Sequence, residues 1–548
     1  MKSGTCGYRV AVAAGILLVL APARSPAQVP QFHITISPED STRLVTRDEF
    51  SNESLPAKVE YGGKTWTGAS IRFKGRSTRY FPKKSYRLKF PSHEEFQGAR
   101  QINLHAMYSD KSFLREKLAW DLFAAMGELA PSASFAGVSI NNRPMGLFLV
   151  VDHIDKRFLA RRGRPVAPLY NAGGYYSLGN MTIQPEDLLR EYYTKEIGDT
   201  NDFGDLADLL NALNSAPDSL FPRVADSLMD LESVFNWLAG NILMMSGDSY
   251  EKNYYLYRDT ARRSGQWTVI PWDYDLTFGL SGDPGIQYPK SLLNDGFSYM
   301  FPPLTGPANV LKDRIWKIPS LRERLHRRVD TLLRTVFTEG VLHPRIDSLA
   351  ALIRDEVRRD PQKWGTERDF LDNVEALKYY VTARRNFLMK TFIAPPAGMY
   401  EIATMRINNI NTPYYFQGLD GQQFATLWFR SLKGLDSVLV EVFTDSLPPA
   451  VPAADSAKFV RRWLRITAYP PEASFTATLQ WTYIDASSVE REVGKKVTDE
   501  RALQCLAYDG DSWDAVPTVI NPFANTATVE SITEKQCDGG TVFALAVP

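Results

Sequence analysis

The chain has 548 residues, of which 44% are hydrophobic and 23% are charged, so it can bury a large core and is long enough for more than one domain. Basic and acidic residues are equal at 63 each, which gives no electrostatic reason to expect a nucleic-acid partner. The six histidines are scattered and no His-Glu-x-x-His motif occurs, which argues against a zinc hydrolase.

The N-terminal segment has the pattern of a secretory signal peptide. Lys2 and Arg9 precede the apolar run of residues 10–20, and the small residues Ser25 and Ala27 flank a cleavage point. We therefore expect residues 1–27 to be removed and the mature chain to be exported, to the periplasm, the cell surface or the extracellular space. No later segment reaches the roughly 20 apolar residues that a membrane-spanning helix needs.

Cysteine use is sparse. Cys6 leaves with the signal peptide, and Cys505 and Cys537 remain as a candidate pair. Export permits a disulfide between them, although the sequence does not prove one.

The first part of the mature chain is mainly β. Residues 32–90 form short alternating runs with Gly62-Gly63 as a hairpin turn. The segment LREKLAWDLFAAMG then predicts an amphipathic helix that ends at Gly127. A further hairpin is expected to turn at Asn141-Asn142, because apolar runs flank it on both sides.

The middle of the chain changes character after a loop rich in Gly, Tyr and Pro over residues 164–200. Two helices are predicted, in DFGDLADLLNALNS and in LMDLESVFNWLAGNILMMSGD, the second ending near Gly247. NYYLYRD and QWTVIPW then form a β pair, and residues 311–393 are mainly helical up to the boundary APPAG.

From about Met399 the runs alternate again, which predicts a β-rich accessory module. The expected fold class is therefore α+β, in two lobes with the mainly β lobe first, followed by that module. The predicted segments are a signal peptide (1–27), a main domain (28–395) and a β-rich accessory domain (396–548).

Three polar residues at element ends are the first candidates for chemistry. Asp248 follows an apolar helix, Asn253 precedes one strand and Asp273 follows the next. If those strands form a hairpin, Asn253 and Asp273 lie at the same end of it. Their oxygen atoms suit magnesium with phosphate, and a spare carboxylate would accept a proton from a nucleophile. Capping of helices and turns is the competing interpretation for each residue taken singly.

The second candidate is the basic segment IRFKGRSTRYFPKKSYRLKF, whose cations suit a polyphosphate. Strand parity groups Lys84 with Tyr86 and Leu88, so Lys84 is expected to turn inward, with Glu116 as a candidate partner. The alternative is that the basic residues decorate an exposed sheet face. Arg76, Lys83 and Lys84 are carried forward as candidate ATP-binding residues.

Several ordered motifs together resemble the CotH kinase family, the spore-coat protein H type of atypical protein kinase. They are KGRSTRYFPKKSYRLKF, LREKLAWDLFAAMG, INNRPMGLFLVVDHID and an acid before NYYLY followed by WTVIPWDYDLTFG. The resemblance covers residues 70–279 by motif and extends to the helical end near residue 393. Departures are Asn171 in place of a lysine, KGRST in the first motif, and SYEK, without histidine, between Asp248 and Asn253.

The resemblance implies a diverged bilobal protein-kinase-like fold, with a β-rich N-lobe and a helical C-lobe. It also implies transfer of the ATP γ-phosphate to Ser or Thr of an extracytoplasmic protein, with Mg²⁺ or Mn²⁺ as cofactor. The implied catalytic acid is Asp248, and the implied metal ligands are Asp273, Asn253 and Asp275, the last with capping as an equal alternative. Trp267 and Tyr170 match aromatic positions around adenine, and Glu116 completes the candidate ATP-binding set.

Two other interpretations stay open. A non-catalytic extracellular or envelope protein would reuse the same fold as a binding module, since ATP is scarce outside the cytoplasm. Asp248 and Asp273 could instead form a glycosidase pair, which depends on a separation that the sequence does not set.

Overall fold

The computed structural model describes residues 29–173, 179–246, 249–261, 265–280, 309–389, 393, 399–410, 412–417, 423–444, 446–483, 497, 499–533 and 540–547. The expected signal peptide, Asp248 and Cys537 lie outside these residues. The chain mixes helices and strands, which confirms the α+β class. Among the described residues, no helix is both long and apolar enough to cross a membrane.

The N-terminal body is a closed barrel with the strand order β1-β2-β3-β4-β5-β7-β6. Neighbouring strands are antiparallel except for β1 and β6, which run parallel and close the barrel. The barrel interior holds its own apolar core, to which Val59, Ile71 and Leu104 belong. The strands are β1 Gln31–Thr35, β2 Leu55–Tyr61, β3 Lys64–Lys74, β4 Ser85–Lys89, β5 Gln101–His105, β6 Ala133–Ile140 and β7 Arg143–Asp152.

Turn chemistry explains two of the barrel hairpins. Gly62 and Gly63 have φ of 59° and 78°, and Asn141 and Asn142 have φ of 50° and 63°. Two consecutive left-handed residues match the twist of the flanking strands, and Gly and Asn adopt that conformation most readily. Both predicted turns are therefore confirmed.

Two helices belong to the barrel region, α1 Pro38–Thr46 and α2 Arg115–Ala125. The predicted helix α2 ends before Gly127, whose φ is 80°. Helix α1 was not predicted, although Ser37 caps it by accepting a hydrogen bond from the Asp40 backbone N–H at 3.0 Å.

The second body combines a small sheet with helices. Its four strands are ordered β11-β10-β8-β9. Strands β8 Leu169–Ala172 and β9 Tyr193–Ile197 fall inside the segment predicted as a loop, so that prediction is wrong there. The predicted pair is confirmed as β10 Tyr254–Arg258 and β11 Trp267–Pro271. The helices are α3 Lys156–Arg161, α4 Leu189–Tyr192, α5 Gly204–Ser215, α6 Phe221–Leu228, α7 Leu231–Met244, α8 Val310–Lys317, α9 Pro319–Thr335, α10 Glu339–Arg359 and α11 Glu367–Leu388.

The predicted helix before Gly247 is α7, which is buried along almost its whole length. It ends at Met244, because Met245 adopts a left-handed φ of 51°. Residues of α2 and α7, among them Leu118 and Trp237, share one apolar core with the sheet and the later helices.

The C-terminal strands form two sheets, β12-β15-β16-β22-β18-β19 and β13-β14-β17-β21-β20. Both sheets contribute to one apolar core, which makes a β-sandwich. Cys505 lies fully buried in that core, and burial raises its pKa. The strands are β12 Met399–Arg406, β13 Pro413–Gln417, β14 Gln423–Lys433, β15 Ser437–Thr444, β16 Phe459–Tyr469, β17 Ser474–Thr482, β18 Gln504–Tyr508, β19 Trp513–Val516, β20 Thr518–Asn521, β21 Thr526–Thr533 and β22 Thr541–Ala546.

Candidate functional site

A cavity of about 310 Å³ gathers polar residues from separate parts of the fold. The end of β3 contributes Lys74, α2 contributes Glu116, and the loop after β11 contributes Asp273 and Asp275. Asn253, just before β10, completes this set. Positive and negative groups that are distant in sequence therefore meet at one concave surface, which is where binding sites form most often.

The register of β10 and β11 explains why Asn253 and Asp273 meet. Tyr254 pairs with Pro271, and the Trp272 backbone N–H donates to the Asn253 carbonyl at 3.1 Å. The two polar residues thus lie at the same end of the hairpin, as the sequence predicted. Asn253 and Asp273 have φ of 61° and 63°, a left-handed conformation that Asn and Asp tolerate better than other side chains.

A buried tyrosine fixes the two acids of the loop. Tyr274 is fully buried, and its hydroxyl donates to the Asn241 side-chain oxygen on α7 at 2.7 Å. Its ring packs edge-on against Phe123 with 4.8 Å between centroids. Tyr274 is thereby held in the apolar core, and the residues on either side of it, Asp273 and Asp275, both line the cavity.

Lys74 is a cation that lines the same cavity as these acids. Its Nζ lies 5.2 Å from the centroid of the Trp272 ring. Burial lowers the pKa of Lys74, whereas the negative charges of Asp273, Glu116 and Asp275 act in the opposite direction. The lysine and the three acids are therefore close enough to affect one another electrostatically.

Glu116 is held rigidly inside the cavity wall. His105 Nδ1 lies 2.8 Å and 2.9 Å from its two carboxylate oxygens, and Trp120 Nε1 donates to it at 3.2 Å. Burial, reinforced by the charge of Asp273, raises the pKa of Glu116 to about 8. Burial and the charge of Lys74 hold the pKa of His105 well below its usual range. Such shifts are typical of functional sites, although structural networks produce them too.

The expected orientation of the two neighbouring lysines is wrong. β4 begins only at Ser85, so strand parity does not extend back to Lys83 and Lys84. Lys83 is the buried residue, and its Nζ donates to Asp360 at 2.7 Å and to the Leu147 carbonyl at 2.5 Å. The Lys84 ammonium donates to the Arg79 carbonyl. Glu116 therefore pairs with His105 and Trp120 instead of with Lys84.

The remaining predicted residues divide into two groups. Arg76 and Lys83 are among the described residues that line the cavity, although the Lys83 ammonium already has a buried carboxylate partner. Tyr170 and Trp267 lie elsewhere. Their rings pack at 5.9 Å in the apolar core, and the Tyr170 hydroxyl donates to Asp205.

Strand geometry explains why Trp267 lies outside the cavity. It pairs with Arg258 at the end of the β10–β11 hairpin opposite to Asn253, so a five-residue strand separates it from the cavity. Neither Trp267 nor Tyr170 lines this cavity, and their contact with adenine stays a prediction.

The donor chemistry at the cavity fits Mg²⁺. Asp273, Asp275 and Asn253 offer carboxylate and amide oxygens, the hard ligands that this ion prefers. Within the described residues, no group of three or more His, Cys, Asp or Glu side chains could hold a metal ion. A cation here would therefore need the Asn253 amide, phosphate oxygens or water to complete its ligand shell.

Two cavity residues escaped selection from the sequence. Lys74 is one of eight basic residues in the segment of residues 71–90, and only its position at the end of β3, next to the glycine turn, distinguishes it. His105 ends β5, and nothing in the sequence near it marks its contact with Glu116.

The fold and this cavity define a mixed α+β protein whose barrel and helical body both contribute to one polar site. The family model described as CotH kinase protein matches residues 71–388, and the chain belongs to that family. The match confirms the resemblance and covers part of the barrel as well as the helical body.

Three curated relatives are similar to this chain. Inner spore coat protein H of Bacillus subtilis (strain 168) is 27% identical over 369 residues, which cover 67% of this chain and 98% of the relative. Inner spore coat protein H-like protein of the same strain is 24% identical over 48% of this chain and 71% of its own. Invasin CotH3 of Rhizopus delemar (strain RA 99-880 / ATCC MYA-4621 / FGSC 9543 / NRRL 43880) is 23% identical over 47% of this chain and 44% of its own.

Proposed function

We propose that this chain is an exported atypical protein kinase that binds Mg–ATP in the cavity and transfers the γ-phosphate to Ser or Thr of an extracytoplasmic protein. The observation that carries the proposal is the meeting of Lys74, Glu116, Asn253, Asp273 and Asp275 in one cavity. A barrel strand supplies the lysine, a helix supplies the glutamate, and a strand end supplies the acids. This distribution is the one expected of a bilobal kinase-like fold.

Each side chain has a role that its chemistry supports. Lys74 would bind phosphate oxygens, and Glu116, which His105 and Trp120 hold in place, would line the cavity beside it. Asp273, Asn253 and Asp275 would hold Mg²⁺, which when bound neutralises charge on the phosphates. Asp248 remains the proposed acceptor of the hydroxyl proton.

The location of the protein is part of the same proposal. A chain with the predicted signal peptide of residues 1–27 that is similar to spore coat and invasin proteins would act at a cell surface or outside the cell. Its phosphate acceptors would then be exported proteins with exposed Ser or Thr residues.

A non-catalytic binding module is the second candidate function. Asn171 stands where the CotH family motif has a lysine. It lines the cavity and places a neutral amide where a cation is expected. One positive charge fewer near the phosphates favours nucleotide binding without rapid transfer. Tight Mg–ATP binding combined with no phosphate incorporation into any co-secreted protein would support this candidate.

Calorimetric titration of the full mature chain with Mg–ATP tests the proposal. We expect Lys74→Met and Asp273→Ala each to weaken binding by about tenfold or more, since each removes a charge that contacts the phosphates or their metal ion. Lys84→Met is the matched control. The Lys84 ammonium donates to the Arg79 carbonyl, so we expect this substitution to leave the affinity for Mg–ATP unchanged.

Phosphate transfer is measured in parallel with labelled ATP and co-secreted proteins. Incorporation should disappear in Asp248→Ala. Absence of Mg–ATP binding in the unaltered chain, or equal affinity in Asp273→Ala, would contradict the proposed function.

A further inference from the structure

Three arginines converge on the rim of the barrel, apart from the residues that line the cavity. Arg47 follows α1, Arg72 lies on β3, and Arg79 belongs to the short helical turn Ser77–Tyr80. We call Arg47, Arg72 and Arg79 the arginine cluster. The loop of residues 48–54, which connects α1 to β2, adjoins it.

The positive charges of the arginine cluster act on one another at close range. Burial, together with the charges of Arg87, Arg79 and Arg47, lowers the pKa of Arg72 to about 10. Burial and Arg47 also lower the pKa of Arg79, with Asp48 acting in the opposite direction. Like charges at close range destabilise a fold unless an anion lies between them.

The hydrogen-bond partners of Arg72 and Arg79 are all neutral. The side-chain oxygen of Asn52 accepts hydrogen bonds from Arg72 Nη1 and Arg79 Nη2, both at 2.8 Å. Arg72 also donates to the Phe73 carbonyl at 3.0 Å, and Arg79 donates to the Glu49 and Ser51 carbonyls at 2.8 Å and 3.3 Å. One exposed amide oxygen thus occupies the point where two guanidinium groups meet.

Arg47 is the least satisfied member. Its side chain is only 10% exposed, and its three guanidinium nitrogens are buried without a hydrogen-bond partner. Glu53 is 3.6 Å away, but both its carboxylate oxygens accept from Arg43, at 2.6 Å and 2.8 Å. A buried guanidinium in this state carries a desolvation cost that an anionic ligand would remove.

We propose that the arginine cluster is a binding site for a tetrahedral oxyanion of the phosphate class, either inorganic phosphate or a phosphate monoester. The ligand displaces the exposed Asn52 amide, so that its oxygens accept from Arg72, Arg79 and Arg47. Guanidinium forks match tetrahedral oxyanions in geometry as well as in charge. The site is separate from the cavity, to which Arg76, Ser77 and Thr78 of the same segment contribute.

Thermal unfolding of the full mature chain in phosphate, compared with chloride at equal ionic strength, tests this site. We expect phosphate to raise the unfolding midpoint, because it binds the folded chain only. Arg47→Gln should weaken phosphate binding by about tenfold in calorimetric titration. Arg327→Gln, which alters an exposed arginine of α9, is the control and should keep the response.

A second variant keeps the test decisive if Arg47→Gln fails to fold. Asn52→Asp places a permanent carboxylate between Arg72 and Arg79, so the midpoint in chloride should rise and the response to phosphate should disappear. Stabilisation by inorganic phosphate or by O-phosphoserine supports the site, and the stronger of the two identifies the source of the ligand.

Three outcomes would overturn the proposal. They are equal midpoints in phosphate and chloride, a phosphate response that survives Arg47→Gln, and a response that is lost in Lys74→Met. The last outcome would assign the phosphate effect to the cavity.

Discussion

Glu128 illustrates how one buried carboxyl links helix packing to pH. It lies just after α2, where Ser233 of α7 donates to it at 2.6 Å. Burial raises the pKa of Glu128 to about 7 from 4.5, with a smaller contribution from the charge of Asp230 in the same direction. The folded chain therefore holds this proton more tightly than the unfolded chain does.

Because the folded-state pKa is raised, the contribution of Glu128 to stability is complete below about pH 4.5 and is lost as the pH rises to about 7. Over that window we expect the free energy of unfolding to fall by up to about 1.4 kcal/mol per pH unit. Glu128→Gln cannot ionise and should flatten the profile measured by urea unfolding. Glu232→Gln, at an exposed position on α7, should leave it unchanged, and parallel profiles for Glu128→Gln and the unaltered chain would refute the assignment.

At the residue scale, the sequence predicts which polar residues flank the strands of the β10–β11 hairpin, but it does not predict which lysine is buried. Asn253 and Asp273 were placed together because hairpin register follows from two strands joined by a short turn. Lys83 and Lys84 were misjudged because alternation applies only within a strand, and both precede β4. The partner of Lys83 lies 277 residues away, a distance that no local pattern spans.

At the scale of elements, Lys83 and Asp360 join the barrel to the helical body. Asp360 follows α10, and its carboxylate accepts from Lys83 Nζ at 2.7 Å and from the Leu147 backbone N–H of β7 at 2.9 Å. Gly146 permits this contact, because a Cβ on it would lie 2.2 Å from the carboxylate. Both side chains of the ion pair are fully buried.

We predict that Asp360→Asn destabilises the chain by roughly 3–5 kcal/mol, since it leaves the Lys83 ammonium buried without a counter-charge. The free energy of unfolding in urea measures the effect. Asp355→Asn, on the exposed face of α10, is the matched control and should change stability by under about 0.5 kcal/mol. The double variant Lys83→Met with Asp360→Asn should be more stable than Asp360→Asn alone. If Asp360→Asn lowers the free energy of unfolding as little as Asp355→Asn does, the ion pair does not stabilise the chain.

Element type was predictable where the pattern was long and failed where elements were short. The helices α2 and α7 have 11 and 14 residues, and most residues of each are buried. Strands β8 and β9 have 4 and 5 residues and lie in a Gly- and Tyr-rich segment, so their identity depends on pairing with β10 and with each other. Tertiary pairing therefore overrides a local composition typical of loops.

At the scale of the whole molecule, the sandwich contributes to the core of the helical body. Ile402 of β12 and Leu439 of β15 belong to the same apolar cluster as α7 and α11. The boundary predicted between residues 395 and 396 thus separates segments that share buried surface.

We expect a chain that ends at residue 395 to unfold at a lower temperature than the same region does in the full chain, because the surface covered by Ile402 and Leu439 becomes exposed. Differential scanning calorimetry measures the midpoint. Leu439→Ala in the full chain should shift that transition in the same direction. Leu435→Ala, whose side chain lies in the sandwich core alone, is the control, and an unchanged midpoint in the shortened chain would contradict the coupling.

The pattern of strands and helices predicts that the mainly β part comes first, but it does not predict the closure of the barrel. β1 pairs in parallel with β6, and their residues His33 and Ser139, 106 positions apart, are joined by a 2.9 Å hydrogen bond. Such long-range parallel pairing has no turn signal between the strands.

The parallel pairing of β1 with β6 sets an order of events during synthesis. The antiparallel pair of β1 and β2 is complete by residue 61, but the other edge of β1 has no strand to pair with until residues 137–140 have been made. At roughly 5–20 residues per second that delay lasts on the order of 4–16 seconds. An open strand edge is a template for pairing with other chains. During that interval, correct closure of the barrel therefore requires that the open edge of β1 does not pair with another chain.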